Sequence, residues 1–463
     1  MVFPTLQFIV FFLCVLALNG MVWSRPVWRK AMLIAASYVF YAAWDVRFLA
    51  LMIGVSLIAW LAGIGVTKPA LRTFSKVTSI TLLILTLGVF KYFNFFMLSF
   101  SQLLEGTAFA RDLQWISIIL PVGISFYIFQ AISYVMDVDR GDVPVRRNAT
   151  DVFLFISFFP QLVAGPIVRA AHFLPQIDNP KAPDRAACAL AVILILMGLF
   201  KKMVVANYLS VLIVDPVYAL PDGQNMITAT AAMLGYAIQI YCDFSGYSDI
   251  AIGVALLLGY EFHRNFNQPY RAHSLRNFWQ RWHISLSTWI RDYLYIPLGG
   301  NAGGAWRSGF TVVLTMTLAG LWHGAGWNFL IWGFLHGAGL ALERVFRARN
   351  IVLPYRLAVI VVFIIVCLLW VPFRAADFHE TMAMFTALFT LDGFAPAELT
   401  ATVWGLIAVG LVINILPMHW LGRSQAILSH APTSLQAVIL AIGVWVMFAA
   451  AQDGVAPFIY FQF

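Results

Sequence analysis

Charge is scarce in this sequence. Lysine, arginine, aspartate and glutamate make up 11% of its 463 residues, against about 25% in an average soluble domain. That scarcity excludes an ordinary water-soluble enzyme. Cysteine is scarcer still: Cys14, Cys188, Cys242 and Cys367 each sit inside an apolar run. No CxxC pair or comparable spacing occurs, so neither a disulfide framework nor a zinc site is expected, and the metal complement is read as none. GxSxG is missing, which leaves Ser245 without a nucleophile-elbow setting. Internal repeats, low-complexity tracts and long polar linkers are absent, as is the alternating pattern of an outer-membrane barrel. The N-terminus, MVFPTLQFIVFFLCVLALNGMVW, has no basic n-region and no small-residue cleavage site. It reads as a retained first transmembrane helix, not a secretory signal.

What the chain has is apolar length. Hydrophobic residues make up 61% of it. Apolar runs fall at 3–22, 29–44, 47–66, 77–98, 116–135, 151–168, 187–212, 228–258, 309–322, 327–345, 356–372, 402–417 and 434–451. At about 20 residues per crossing, that makes roughly eleven to thirteen membrane segments, some short or re-entrant. In lipid the backbone must satisfy its own hydrogen bonds, so the expected fold is an all-α polytopic membrane protein. It is read as one transmembrane domain over 1–463, with N-terminal helices in 1–135, a catalytic core in 136–345 and C-terminal helices in 346–463. Run 228–258 is too long for one straight crossing. The proline-bounded PQLVAGP (160–166) and the stretch 175–183 interrupt the middle, which suggests a funnel or cleft.

The loops alternate in charge. Arg25, Arg29 and Lys30, then Lys68, Arg72 and Lys76, then Arg140, Arg146 and Arg147 mark loops one, three and five as cytoplasmic. Loop 375–400 holds Asp377, Glu380, Asp392 and Glu398 with no lysine or arginine, and reads as extracytoplasmic. Both termini are then expected outside. The net charge of +8 is explained by orientation and anionic lipid rather than by nucleic acid.

The densest chemistry lies between Arg276 and Gly337, with His283, His323 and His336 among nine histidines. Read as one helix over 275–293, Trp279, Trp282, Leu286, Trp289 and Tyr293 form a stripe at helical spacing. That predicts an interfacial helix with its tryptophans at headgroup level. Beside the stripe, His283 faces a cavity, and Arg276, Arg281 and Arg291 are candidates for donor phosphates, although snorkelling arginines look the same. His323 sits in AGLWHGAGW, a glycine-lined break at membrane depth, where a titratable imidazole suits removal of a hydroxyl proton. Gly333 and Gly337 form a GxxxG face that points to a packing role for His336. On a continuous helix His336 would face away from His323. YCDFSGYSDIAIG (241–253) sets Asp243 and Asp249 in an apolar stretch, where carboxylates pair or line a path.

YCDFSGYSDIAIG, NFNQPYRAHSLRNFWQRWHISLSTWIRDYLYIPLGGN, LWHGAGWNFLIWGFLHG and the terminal PFIYFQF together resemble the membrane-bound O-acyltransferase family, most of all its bacterial alginate O-acetyltransferase branch. The resemblance covers most of the chain. It implies a many-helix fold around a central funnel and acyl transfer from a thioester to a hydroxyl. The family's catalytic histidine falls on His323. A second position, asparagine in some branches, falls on His283. No cofactor is expected to be permanently bound; acetyl-CoA or an acyl-carrier thioester is the implied donor. Periplasmic partners of the SGNH-hydrolase type and a polysaccharide-synthesis complex are the implied company, in a bacterial inner membrane.

A thioester is already activated. What remains is to deprotonate the hydroxyl, hold both reactants and stabilise the oxyanion. His323 is the candidate base; His283 would bond the carbonyl oxygen or orient the hydroxyl. Two rivals stand beside this reading. One is D-alanyl or other acyl transfer to a cell-wall polymer. The other is a polysaccharide or lipid transporter using Asp243, Asp249 and the histidines as a proton path.

Overall fold

A computed structural model describes residues 3–104, 117–163, 165–392, 399–417 and 419–451. The acidic loop residues Glu105, Asp112 and Glu398, together with Asp453 and the terminal PFIYFQF, lie outside them. The described residues are helical with no β-strand. Seven helices among them are long and apolar enough to cross a membrane, or eight if the bent pair Ala401–Ile415 and His419–Ser429 forms one span. Further apolar runs fold as shorter helices, such as Leu6–Met21, Pro26–Ala42 and Ile124–Arg140. The chain is a multi-pass membrane protein. It divides into two compact units, Met1–Lys181 and Ala182–Phe463.

In the first unit, Thr5 opens the first helix by accepting the Phe8 N–H at 3.2 Å, which satisfies one of the helix's orphan donors. Three more long helices follow: Pro26–Ala42, Arg47–Gly65 and Arg72–Leu103. The basic residues of loops one, three and five meet carboxylates there. Lys30 pairs with Asp151, Arg146 bonds Asp178 at 2.6 Å, and Arg72 and Lys76 reach Asp139 at 2.7 and 2.9 Å. These links tie loop one to the start of the Ala149–Ser157 helix and loop three to the end of Ile124–Arg140. These pairs place loops one, three and five at one end of this unit. Run 151–168 is broken, as its prolines predicted. Phe158 leaves the helix at ψ 111°, a short Phe159–Leu162 turn begins, and Ser37 Oγ accepts the freed Phe159 N–H at 3.1 Å.

The second unit is built on two long helices. Arg185–Ala219 runs for 35 residues, with π-helical turns at Phe200–Ala206 and Ser210–Val214. Met226–Leu257 is a single helix of 32 residues, opened by a capping box between Asn225 and Thr228. Glycines let their backbones touch. A Cβ on Gly198 would lie 2.5 Å from the Gly246 carbonyl, and one on Gly246 2.7 Å from the Gly198 carbonyl. Beside this crossing Asp249 pairs with Lys201 at 2.6 Å and Asp243 pairs with Lys202. The intramembrane carboxylates of 241–253 are thus partnered, which ties the two helices together.

Candidate active site

Sequence periodicity predicted one helix over 275–293; the backbone breaks it in two. Ser274 starts the first piece, Leu275–Trp279, by accepting the Asn277 N–H at 3.0 Å. The second piece, Ile284–Ile290, begins after His283, whose φ of 42° is left-handed. The cause lies upstream. Asn267 donates its N–H to the Arg281 carbonyl at 2.9 Å, and Asn265 accepts the Ile284 N–H at 2.8 Å. Residues 265–267 thereby take the backbone groups that a continuing helix would have used itself. The aromatic stripe is consequently split. Trp279, Trp282, Leu286 and Trp289 are buried within the protein instead of lying along one exposed amphipathic face. Trp282 instead packs against Phe278 and Trp370, at 5.6 and 5.0 Å between ring centroids.

His323 is the last residue of the Gly304–His323 helix. Gly324 to Gly326 turn the chain, and Trp327–Ala348 returns beside it. The hairpin closes backbone to backbone. A Cβ on Gly320 would lie 2.2 Å from the Phe329 carbonyl, one on Gly333 2.3 Å from the Met316 carbonyl, and one on Gly337 2.7 Å from Val313 Cα. The predicted GxxxG face thus packs on the preceding helix. The break also brings His323 and His336 against one indole: Trp332 lies 5.0 Å from His323 and 4.7 Å from His336. Trp322, 4.9 Å from His323 and 6.3 Å from His283, continues the chain of rings. All three histidines therefore belong to one aromatic cluster. His283 and His336 are 0% exposed and His323 is 3% exposed, so none is bathed in bulk water.

Their polar contacts differ. Asn265 Oδ1 lies 3.1 Å from His283 Nδ1, and Phe244 meets the His283 ring edge-on at 4.6 Å. Burial pushes His283 down to about 3, so its imidazole is neutral at physiological pH. Trp279 Nε1 donates to His336 Nδ1 at 3.3 Å. That bond and the Gly337 crossing give His336 the packing role its spacing suggested.

A cavity of about 610 Å³ adjoins this cluster. Trp279, whose indole bonds His336, forms part of its wall, with Thr315 and Met316 from the His323 helix. Arg276, Arg291, Arg344 and Arg347 line it together with a single carboxylate, Glu343. Arg276 and Arg291 were candidates from sequence. Arg281 is not part of the lining; it bonds Asn277 Oδ1 at 2.9 Å and the Asn267 carbonyl at 3.1 Å. Arg344 was not singled out for this role, nor was Arg347. Tyr295 holds Arg344 in place by accepting from Nη2 at 2.9 Å, and Ser308 does so through its hydroxyl. Lys201 and Lys202 were missed as well, although two adjacent lysines in run 187–212 were a visible signal.

A neutral His283 imidazole in a buried aromatic cluster, beside a cationic cavity that none of the three histidines lines, suits proton transfer between uncharged groups with an anionic group held nearby. The helices that carry this cluster belong to a multi-pass membrane protein. The membrane-bound O-acyltransferase family model matches residues 78–376, and the chain belongs to that family; it is an acyltransferase. It is 38% identical to the probable alginate O-acetylase AlgI of Pseudomonas putida, covering 95% of this chain and 96% of that one. To the probable alginate O-acetylase AlgI of Azotobacter vinelandii it is 37% identical over the whole of both chains. To the peptidoglycan O-acetyltransferase of Helicobacter pylori it is 33% identical, over 81% of this chain and 77% of that one.

Proposed function

We propose that this protein moves an acetyl group from a cytoplasmic thioester to a hydroxyl acceptor, for O-acetylation of an extracytoplasmic polysaccharide such as alginate. The observation that carries the reading is the placement of His323. It ends a glycine-locked helix inside the aromatic cluster, and Trp279 of that cluster also lines the arginine-rich cavity. The cavity takes the phosphate-bearing end of acetyl-CoA or of an acyl-carrier prosthetic group. Arg276, Arg291, Arg344 and Arg347 supply the charge, and the thioester points toward the histidines. His323 removes the hydroxyl proton as the acyl C–O bond forms; the thiolate leaves and takes up a proton. Dry aromatic walls keep water from competing for the acyl group.

The expected setting is a bacterial inner membrane with loops one, three and five in the cytoplasm and both termini outside. Periplasmic partners of the SGNH type then place the acetyl group on the polymer within a polysaccharide-synthesis complex. The test is the acetyl-ester content of the exported polysaccharide in a strain lacking this protein, complemented with wild type, His323→Ala or His283→Ala at matched membrane levels. Wild type restores ester and His323→Ala does not. Ester retained with His323→Ala removes that residue as the base. Wild type that restores none, while D-alanyl ester appears on a cell-wall polymer, moves the reading to D-alanyl transfer.

A further inference from the structure

We propose that Asn265 is a positioning residue for acyl transfer, holding His283 as the Nδ1–H tautomer so that Nε2 offers its lone pair to an acceptor hydroxyl next to the one that His323 deprotonates. The activity part of this inference rests on the proposed acetyl transfer; the tautomer part rests on hydrogen-bond geometry alone.

Asn265 is 1% exposed, and four contacts fix its side chain. Oδ1 accepts the Ser285 backbone N–H at 3.2 Å and the Ser285 hydroxyl at 2.9 Å. Nδ2 donates to Ser248 Oγ at 3.3 Å. The fourth contact is His283 Nδ1, 3.1 Å from Oδ1. A backbone N–H can only donate, so the amide atom facing Ser285 is the oxygen and not the NH2 group. Flipping the amide would set two donors against each other. With the oxygen assigned, the ring nitrogen beside it carries the hydrogen. Ser285 Oγ, 3.5 Å from Nδ1, offers that hydrogen only a second acceptor. A neutral imidazole has one N–H, which leaves the lone pair on Nε2.

The tautomer decides a question the sequence left open. An Nε2 lone pair accepts from an O–H and cannot donate to a thioester carbonyl. His283 therefore belongs to the acceptor's side of the reaction, where it accepts from a hydroxyl other than the one whose single proton goes to His323. The same contacts give YCDFSGYSDIAIG a further task. Phe244 and Ser248 lie four residues apart on one face of their helix; the first packs on the His283 ring and the second anchors Asn265. Asn265 also accepts both leading N–H groups of the Ile284–Ile290 helix, so one residue breaks the longer helix, caps its second piece and orients the imidazole.

The experiment has two arms on the full-length protein in lipid nanodiscs. In the first, 15N-histidine spectra are recorded for wild type, Asn265→Ala and His283→Gln, the last assigning the His283 signals by their loss. A protonated Nδ1 with an unprotonated Nε2 is expected in wild type, with loss of that single pattern in Asn265→Ala; a protonated Nε2 in wild type overturns the proposal whatever the enzyme transfers. In the second, initial rates of acetyl transfer from acetyl-CoA are compared across a mutant cycle. Asn265→Ala is expected to lower kcat about as much as His283→Ala, on the order of 10²-fold, and to add less than about threefold in the His283→Ala background. Asn265→Asp, which keeps an acceptor oxygen at the same place, retains most of the rate. Losses that multiply in the double variant, or an Asn265→Asp enzyme as slow as Asn265→Ala at equal folded protein, reduce Asn265 to a structural residue.

Discussion

His283 and His336 make an instructive pair. Both are fully buried, both meet aromatic rings edge-on, and both use Nδ1 for a hydrogen bond. The direction of that bond is opposite. His336 accepts from the Trp279 indole, so its hydrogen is on Nε2. His283 faces an amide oxygen and keeps its hydrogen on Nδ1. Their backbones differ too. His336 lies in mid-helix, one residue before the Gly337 crossing. His283 is held left-handed in a helix break, a conformation that costs an L-residue about 1–2 kcal/mol. Burial and ring contacts thus describe packing and chemistry alike; the two are told apart by which ring nitrogen is offered and by strain that the surroundings maintain.

The largest expected effect lies at the residue between the pair. His323→Ala should slow ester formation by about 10²–10⁴-fold at equal membrane level; a loss under tenfold moves the base elsewhere and leaves His283 as the candidate. The pair itself comes next. His283→Gln should cut turnover on the order of 10²-fold. His336→Phe should change it by less than about tenfold and lower the melting temperature instead, because the buried Trp279 N–H loses its acceptor at about 1–3 kcal/mol. Equal turnover losses would erase the distinction between the two histidines. Arg344→Ala should raise the donor's KM about tenfold with kcat nearly unchanged, read from a donor titration, since a phosphate contact serves ground state and transition state alike. The smallest effect is on stability. His283 binds its proton near 3 when folded and near 6.5 when unfolded. Between those values the unfolded chain holds the extra proton, so stability falls as pH drops below 6.5, by at most about 1.4 kcal/mol per unit. Melting curves at about pH 7 and about pH 5.5, either side of the unfolded value, should show His283→Gln losing less stability than wild type over that interval.

Much of this was legible in the sequence, for reasons that differ by residue. Apolar length announced the membrane helices because lipid leaves the backbone no other way to satisfy its polar groups. Gly320, Gly333 and Gly337 announced a close crossing because no other residue lets backbones approach so far. The prolines near Pro160 announced a broken helix. The break at His283 was hidden, since Trp279, Trp282, Leu286 and Trp289 keep helical spacing across it. What overrides that pattern is Asn265 and Asn267, which lie outside any periodic window and act by capturing backbone groups. Arg344 and Arg347 were not legible as part of a site, because a cavity gathers residues from several helices and no single stretch contains it. Arg281 illustrates the reverse: its charge matched its neighbours', but its side chain folds back onto Asn267 and Asn277.

The paired Lys201–Asp249 and Lys202–Asp243 contacts bear on how the protein is made. A lone lysine at the centre of a membrane helix costs about 2.5–3.5 kcal/mol to insert. Arg185–Ala219 carries two, and it leaves the ribosome before the helix that neutralises them; Asp249 follows Lys201 by 48 residues. Each helix alone enters lipid with two of these four charges uncompensated. Together, with Gly198 and Gly246 in contact, both lysines enter paired. The two spans should therefore leave the insertion machinery as a pair, so that Met226–Leu257 completes the integration of the segment synthesised before it.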